Sequence, residues 1–138
     1  MNGTREDIER LKTHLLKFGG EGFQVDWFLN AELSEKDVAM LLSCGVLQNG
    51  RGAKLVKMAR SKCHVNAAEL VTQSWFGNRS GQTPELSYFT GLALSADGIW
   101  RVHSWAVASD GMTIETTERR TKYFGYRVRD PREILSQL

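Results

Sequence analysis

Cysteine is scarce in this chain of 138 residues: Cys44 and Cys63 are the whole complement. That excludes the disulfide-stapled scaffold on which small secreted domains depend, so reduced thiols are expected. Two prolines leave no proline-rich tail, and thirteen glycines without a repeat exclude collagen and low-complexity sequence. No apolar run approaches the roughly 20 residues that span a bilayer, and no membrane partner is expected. The opening residues, Met1-Asn2-Gly3-Thr4-Arg5-Glu6-Asp7, are charged where a secretory signal needs an apolar core. A cytoplasmic location is expected, although export without a cleaved signal would leave no trace. An excess of one charge is also missing, because 18 Lys and Arg against 16 Asp and Glu leave +2. So small a surplus gives no ground for nucleic acid or an anionic membrane as partner. What is present, 41% apolar and 25% charged residues, is the composition of one ordinary globular domain.

Helical periods fill the first half. Ile8, Leu11, Leu15 and Phe18 fall on one stripe, with Thr4 as N-cap, Glu6 and Asp7 in the first turn and Gly19-Gly20 as the stop. A second helix starts at Ser34, which can cap the turn holding Glu35 and Asp37. It carries Val38, Leu41 and Leu42, has Cys44 in its last turn and ends at Gly45. Asn49 to Gly52 reads as a loop, and Ala53 to Arg60 as a short basic helix around Leu55, Val56 and Met58. Cys63, Ala67, Leu70, Val71 and Ser74 then trace one face of a helix with Cys63 in its first turn.

Beyond the polar loop from Gly77 to Pro84 the period becomes strand-like. Four strands are expected, Leu86 to Leu94, Ile99 to Val107, Met112 to Thr117 and Lys122 to Val128. Their turns, at Asp97-Gly98 and Asp110-Gly111, are hairpin signals too short for parallel crossovers. The expected fold is α+β, with N-terminal helices (1–76) packed on a C-terminal antiparallel sheet of about four strands (86–128) in one domain. A short terminal helix is expected to open at Asp130.

Three histidines are available for chemistry. His14 lies on the polar side of the first helix and reads as a solvated residue. His103 lies inside the strand from Trp100 to Val107, on the face of Trp105 and Val107, where it needs a hydrogen-bond partner. Cys63 is the natural partner. A thiol in a first helical turn faces unpaired backbone N–H groups and the positive end of the helix dipole, and both favour the thiolate. Lys62 and Arg60 push the same way. A thiolate and an imidazolium together are the elements of nucleophilic cysteine catalysis, and first-turn N–H groups can serve an oxyanion. The competing reading is a small buried thiol and a satisfied structural histidine.

A third member, holding the imidazole in one tautomer, should come from the next strand. A two-residue Asp110-Gly111 turn sets His103 opposite Glu118, and a five-residue connection sets it opposite Glu115. Turn chemistry favours Glu118, whereas Glu115 sits inside the strand and needs a buried partner to explain it. The spacings for a zinc site among Cys63, His64, His103 and Glu115 match no recognised ligand pattern, so neither metal nor cofactor is expected.

Cys63-His64-Val65-Asn66 opening a helix, His103-Ser104-Trp105 on a strand and Glu115-Thr116-Thr117 on the hairpin return resemble, in that order, the papain-like and transglutaminase-like cysteine enzymes. The resemblance spans residues 63 to 117. It implies Cys63 as nucleophile, His103 as its base and, with Glu in place of the usual Asp, Glu115 as the orienting acid, Glu118 being the alternative. No glutamine of the papain type precedes Cys63, so Asn66 and Gln73 are the candidates for a second oxyanion donor. His64, a helical step from Cys63, borders the cleft, and Trp105 walls it. Trp27, Trp75 and Trp100 read as packing residues.

The expected activity is that of a cysteine hydrolase or acyltransferase on the amide, isopeptide or thioester of a peptide, a protein or a small molecule. The rival is a binding module that grips nucleic acid or an acidic protein with basic segments 51–62 and 119–129. The second of these is interleaved with Tyr123, Phe124 and Tyr126. The sequence does not specify an oligomeric state.

Overall fold

The spacing of Ile8, Leu11 and Leu15 buries one stripe of helix α1, Gly3–Phe18, and all three are withdrawn from solvent. The computed structural model describes residues 3–24, 33–60, 62–76 and 85–136. Trp27 and the loop from Gly77 to Pro84 lie outside them. Helix α1 begins at Gly3, so Thr4 belongs to its first turn and is not its N-cap. Ser34 does cap α2, Glu35–Cys44: its hydroxyl accepts from the Asp37 N–H, and the Asp37 carboxylate accepts from the Ser34 N–H at 2.8 Å. Gly45 closes that helix by donating to the Leu41 carbonyl.

Four further elements complete the helical half and its insertions: β1, Gly22–Gln24; β2, Val46–Asn49; β3, Lys54–Leu55; and α3, Cys63–Phe76. Strands β4, Leu86–Leu94, β5, Ile99–Ala108, β6, Thr113–Glu115, and β7, Lys122–Val128, follow, then α4, Arg132–Ser136. Asp130 accepts from the Arg132 N–H at 3.0 Å and so opens this last helix.

The fold is α+β, but among the described residues the sheet has seven strands where about four were expected, and it is mixed rather than antiparallel. Its order is β2-β7-β4-β5-β6-β3, with β1 joined to β5. The β1–β5 and β3–β6 pairs are parallel, whereas β2–β7 and β5–β6 are antiparallel. The short-turn argument holds for the β5–β6 hairpin. The parallel pairs join segments far apart in the chain, where connection length places no limit on direction.

Residues 53–60 are not a helix. The Val56 and Met58 N–H groups donate to the Glu115 and Thr116 carbonyls at 2.8 and 2.7 Å, so the chain runs extended along β6. Pairing with an open strand overrode the local apolar pattern there. Strand β6 is shorter than expected, because Glu115 Oε2 accepts from the Thr117 N–H at 2.9 Å and takes that donor out of the ladder.

The chain divides into two compact units. One comprises Met1–Asn49, Gly91–Val102 and Arg120–Tyr126. In it Tyr126 Oη donates to the Asp37 carboxylate, buried Trp100 donates to the Gly19 carbonyl at 2.9 Å, and exposed His14 sets its ring edge against Phe18. The other comprises Gly50–Thr90, His103–Arg119 and Arg127–Leu138. Its core gathers Ala67, Ala68 and Val71 of α3 with Leu86, Tyr88, Ala106, Ala108 and Ile114, and Trp75 packs against them while donating to the Leu86 carbonyl at 2.9 Å. Among the described residues no helix is long and apolar enough to cross a membrane.

Candidate active site

All the residues of interest fall in the second unit. Cys63 is the first residue of α3, and the Asn66 N–H donating to the Lys62 carbonyl at 2.8 Å closes the turn on which it sits. The period that buries Ala67 and Val71 turns the thiol inward with them, and Cys63 is half-buried. A half-buried thiol at the start of a helix has anion-stabilising N–H groups on its backbone side.

His103 and Glu115 are brought together by strand register. Ala106 pairs with Ile114 and Val107 with Thr113, so one step further Glu115 is level with Trp105 and reaches His103 on the diagonal. This register is neither of the two considered from the sequence. The hairpin turns through three residues, Ser109-Asp110-Gly111, with the Ala108 N–H donating to the Met112 carbonyl at 2.9 Å and Gly111 at φ +91°. An odd-numbered turn places Glu115 on the face of His103. Glu118, one face off, is exposed.

His103 is 2% exposed and Glu115 is fully buried, and Nε2 of His103 lies 2.7 Å from Oε1 of Glu115. The second carboxylate oxygen accepts from both the N–H and the hydroxyl of Thr117, at 2.9 and 3.0 Å. Glu115 is thereby saturated as an anion and held at a fixed angle. Trp105, itself buried, stacks on the His103 ring at 6.0 Å between centroids, and Phe89 stacks on Trp105 at 6.3 Å. Hydrogen bonding also links the His103 ring to the Cys63 thiol.

The electrostatics follow from these neighbours. Burial pushes the Cys63 thiol up, but hydrogen bonds to His103 and His64, with the charge of both rings, outweigh it and bring the thiol down from 9.0 to about 5. Burial pushes His103 down, and hydrogen bonds to Cys63 and Glu115 with their negative charge outweigh it, so its value is raised above the ordinary 6.5. The thiol is moved down and the imidazole up, the sense that favours thiolate with imidazolium.

His64 was expected only to border the cleft. It is instead a second imidazole on the thiol, and its Nδ1 lies 2.5 Å from Ser104 Oγ. Ser104 Oγ donates to Thr90 Oγ1 at 2.8 Å and accepts from Tyr88 Oη at 3.0 Å, and all three hydroxyl residues are buried. Sequence reasoning passed over this cluster, although Tyr88 and Thr90 sit two residues apart on one strand face and are hydroxyls at positions where a core prefers carbon.

Asn66 is buried and spends Nδ2 on the Ala59 carbonyl at 2.7 Å, so it ties α3 to the segment before it. Gln73 is exposed and lies ten residues along the helix from Cys63, about 15 Å away at the helical rise. Thr116 lends its carbonyl to Met58, and among the described residues its buried hydroxyl has no hydrogen-bond partner. Among the described residues no group of three or more His, Cys, Asp or Glu side chains is arranged to hold a metal ion. Arg51, Lys54, Lys57, Arg60, Lys62, Arg119, Arg127 and Arg129 are exposed, while Tyr123, Phe124 and Tyr126 are buried and offer no stacking platform for bases.

Compared with protein-family profiles, with curated proteins and with solved structures, the chain matches none.

Proposed function

We propose that this chain is a cysteine hydrolase or acyltransferase acting on the amide, isopeptide or thioester carbonyl of a peptide, a protein or a small molecule. The observation that carries the reading is the buried 2.7 Å contact between His103 Nε2 and Glu115 Oε1 beside a thiol at the first turn of a helix. A carboxylate buried and saturated in this way is costly for a core to hold, and its evident use is to orient and charge an imidazole. The order of helix-borne cysteine, strand-borne histidine and carboxylate on the next strand also supports kinship in design with papain-like and transglutaminase-like enzymes.

In this reading Cys63 Sγ attacks the carbonyl carbon as a thiolate, forming the S–C bond. Backbone N–H at the start of α3 receives the oxyanion. His103 gives a ring proton to the leaving nitrogen or sulfur as that bond breaks, while Glu115 holds Nε2. Water or an amine then displaces the thiolate from the acyl-enzyme. The exposed basic residues of segments 51–62 and 119–129 have no separate task in this reading.

Trapping the acyl-enzyme tests this directly. Incubation with p-nitrophenyl acetate should acetylate Cys63, mapped by mass spectrometry, and His103→Ala should abolish it. Acetylation confined to the exposed Cys44 would overturn the proposal.

A further inference from the structure

The segment that runs up to Cys63 presents an open strand edge. Lys54 pairs with Ile114 and Leu55 with Glu115 in the parallel β3–β6 ladder, and the Val56 N–H donates to the Glu115 carbonyl at 2.8 Å. Backbone groups alternate along a strand, so Lys54 and Val56 face β6 while Leu55 turns its N–H and C=O the other way. The Met58 N–H returns to β6 at the Thr116 carbonyl, 2.7 Å away, which sets Lys57 outward with Leu55. Among the described residues β3 is the last strand on that side of the sheet. An unpaired edge of this kind is a template for another extended chain.

Charge along that edge has one sign. Lys54, Lys57, Arg60 and Lys62 are all exposed, and no Asp or Glu stands between Arg51 and Cys63. Of the acids beside it, Glu115 is buried and bonded to His103 and Thr117, and Glu118 lies beyond the end of β6. Paired residues of a ladder project to one face, so Leu55 shares the face of Glu115, and Lys57 follows it at the strand period. Leu55 is 38% exposed, an apolar side chain open to solvent on the face where Glu115 meets His103. Asn66 Nδ2 donates to the Ala59 carbonyl at 2.7 Å and fixes the chain between this edge and the thiol.

We infer that the open edge from Leu55 to Lys57 binds an acidic peptide acyl donor as an added strand, its carboxylates meeting Lys54, Lys57 and Arg60. The inference rests on the acyl-enzyme reading above and names its substrate class. Main-chain bonds to the outward N–H and C=O of Leu55 and Lys57 set the register, and Leu55 takes an apolar side chain of the peptide. The cationic side chains supply the preference for acid, which is strongest at low salt. A nucleic acid, the other polyanion such a basic edge could meet, has no amide backbone to pair with it. In the step, the Cys63 S–C bond forms at the peptide's acyl carbon and the bond to its leaving group breaks, the leaving atom taking its proton from His103.

Two acyl donors that differ only in charge provide the test. They are the benzyl thioesters of acetyl-Glu-Leu-Glu-Gly and acetyl-Lys-Leu-Lys-Gly. Transfer of the peptidyl group to Cys63 releases benzyl mercaptan and is followed by mass spectrometry. The acidic peptide should be transferred at least about tenfold faster than the basic one, and the advantage should shrink as salt is raised. Lys54→Glu combined with Lys57→Glu should remove that advantage. Leu55→Pro deletes an outward N–H at a position where an edge strand tolerates proline, and should lower peptide transfer relative to acetyl transfer from p-nitrophenyl acetate at least about fivefold. The charge-reversal pair carries the test if Leu55→Pro does not fold. Equal rates for the two thioesters, or an acidic advantage that survives the charge reversal, would overturn the inference. So would competition by oligothymidylate at concentrations where free acetyl-Glu-Leu-Glu-Gly does not compete. Failure of the underlying reading would appear separately, as no acetylation of Cys63 by p-nitrophenyl acetate in the unaltered chain.

Discussion

His103 Nε2 and Glu115 Oε1 meet at 2.7 Å inside the protein, with neither residue more than 2% exposed. The contact spans a diagonal of the β5–β6 pair and depends on a hairpin of three residues. A carboxylate in that position raises the imidazole and, through it, lowers the thiol.

Substitution at the two candidate acids should therefore give opposite results. Glu115→Gln keeps the shape and removes the charge, and should slow iodoacetamide labelling of Cys63 at pH 6 at least about tenfold. Glu118→Gln, at an exposed position, should leave that rate within about twofold. Glu115→Ala should in addition cost about 3 kcal/mol in urea unfolding, because it strands a buried imidazolium.

Much of this arrangement is written in periodicity. The helical repeat from Cys63 to Ser74 places the thiol at a helix start, and the strand repeat around His103 places it with Trp105. The choice of Glu115 needed more. Two-residue and five-residue connections were the alternatives, and the three-residue turn that exists depends on Gly111 taking positive φ after Asp110. Strands β1, β2 and β3, of three, four and two residues, are too short to show a period, and each exists by pairing with a longer strand. His64 was misread because adjacent helical residues point about 100° apart, yet both Cys63 and His64 stand at the helix mouth, where β5 presents His103 and Ser104.

Close packing in the first unit makes a separate prediction. A Cβ built on Gly91 would stand 2.2 Å from the Phe124 carbonyl oxygen and 2.7 Å from Gly125 Cα, both backbone atoms. Gly91→Ala should destabilise the protein by about 3 kcal/mol, seen as a lower urea midpoint.

Stability should vary with pH through Cys63. Its folded value of about 5 lies below the ordinary 9.0, so its contribution is full above pH 9 and is lost as pH falls to about 5. His103 has the opposite sense: its raised value gives a contribution that is full below 6.5 and lost as pH rises through that value. Replacing Cys63 by Ala should thus reduce unfolding free energy more at pH 7 than at pH 4.5, as measured by urea titration at both.

Alkylation of the two cysteines side by side, followed by mass spectrometry from pH 4 to 9, tests the central claim most directly, since exposed Cys44 is the internal control. Labelling of half-buried Cys63 should rise through about pH 5 and lead Cys44 throughout the mildly acidic range. Cys63 labelling that lags behind Cys44 at pH 6 and rises only near pH 9 would contradict the account.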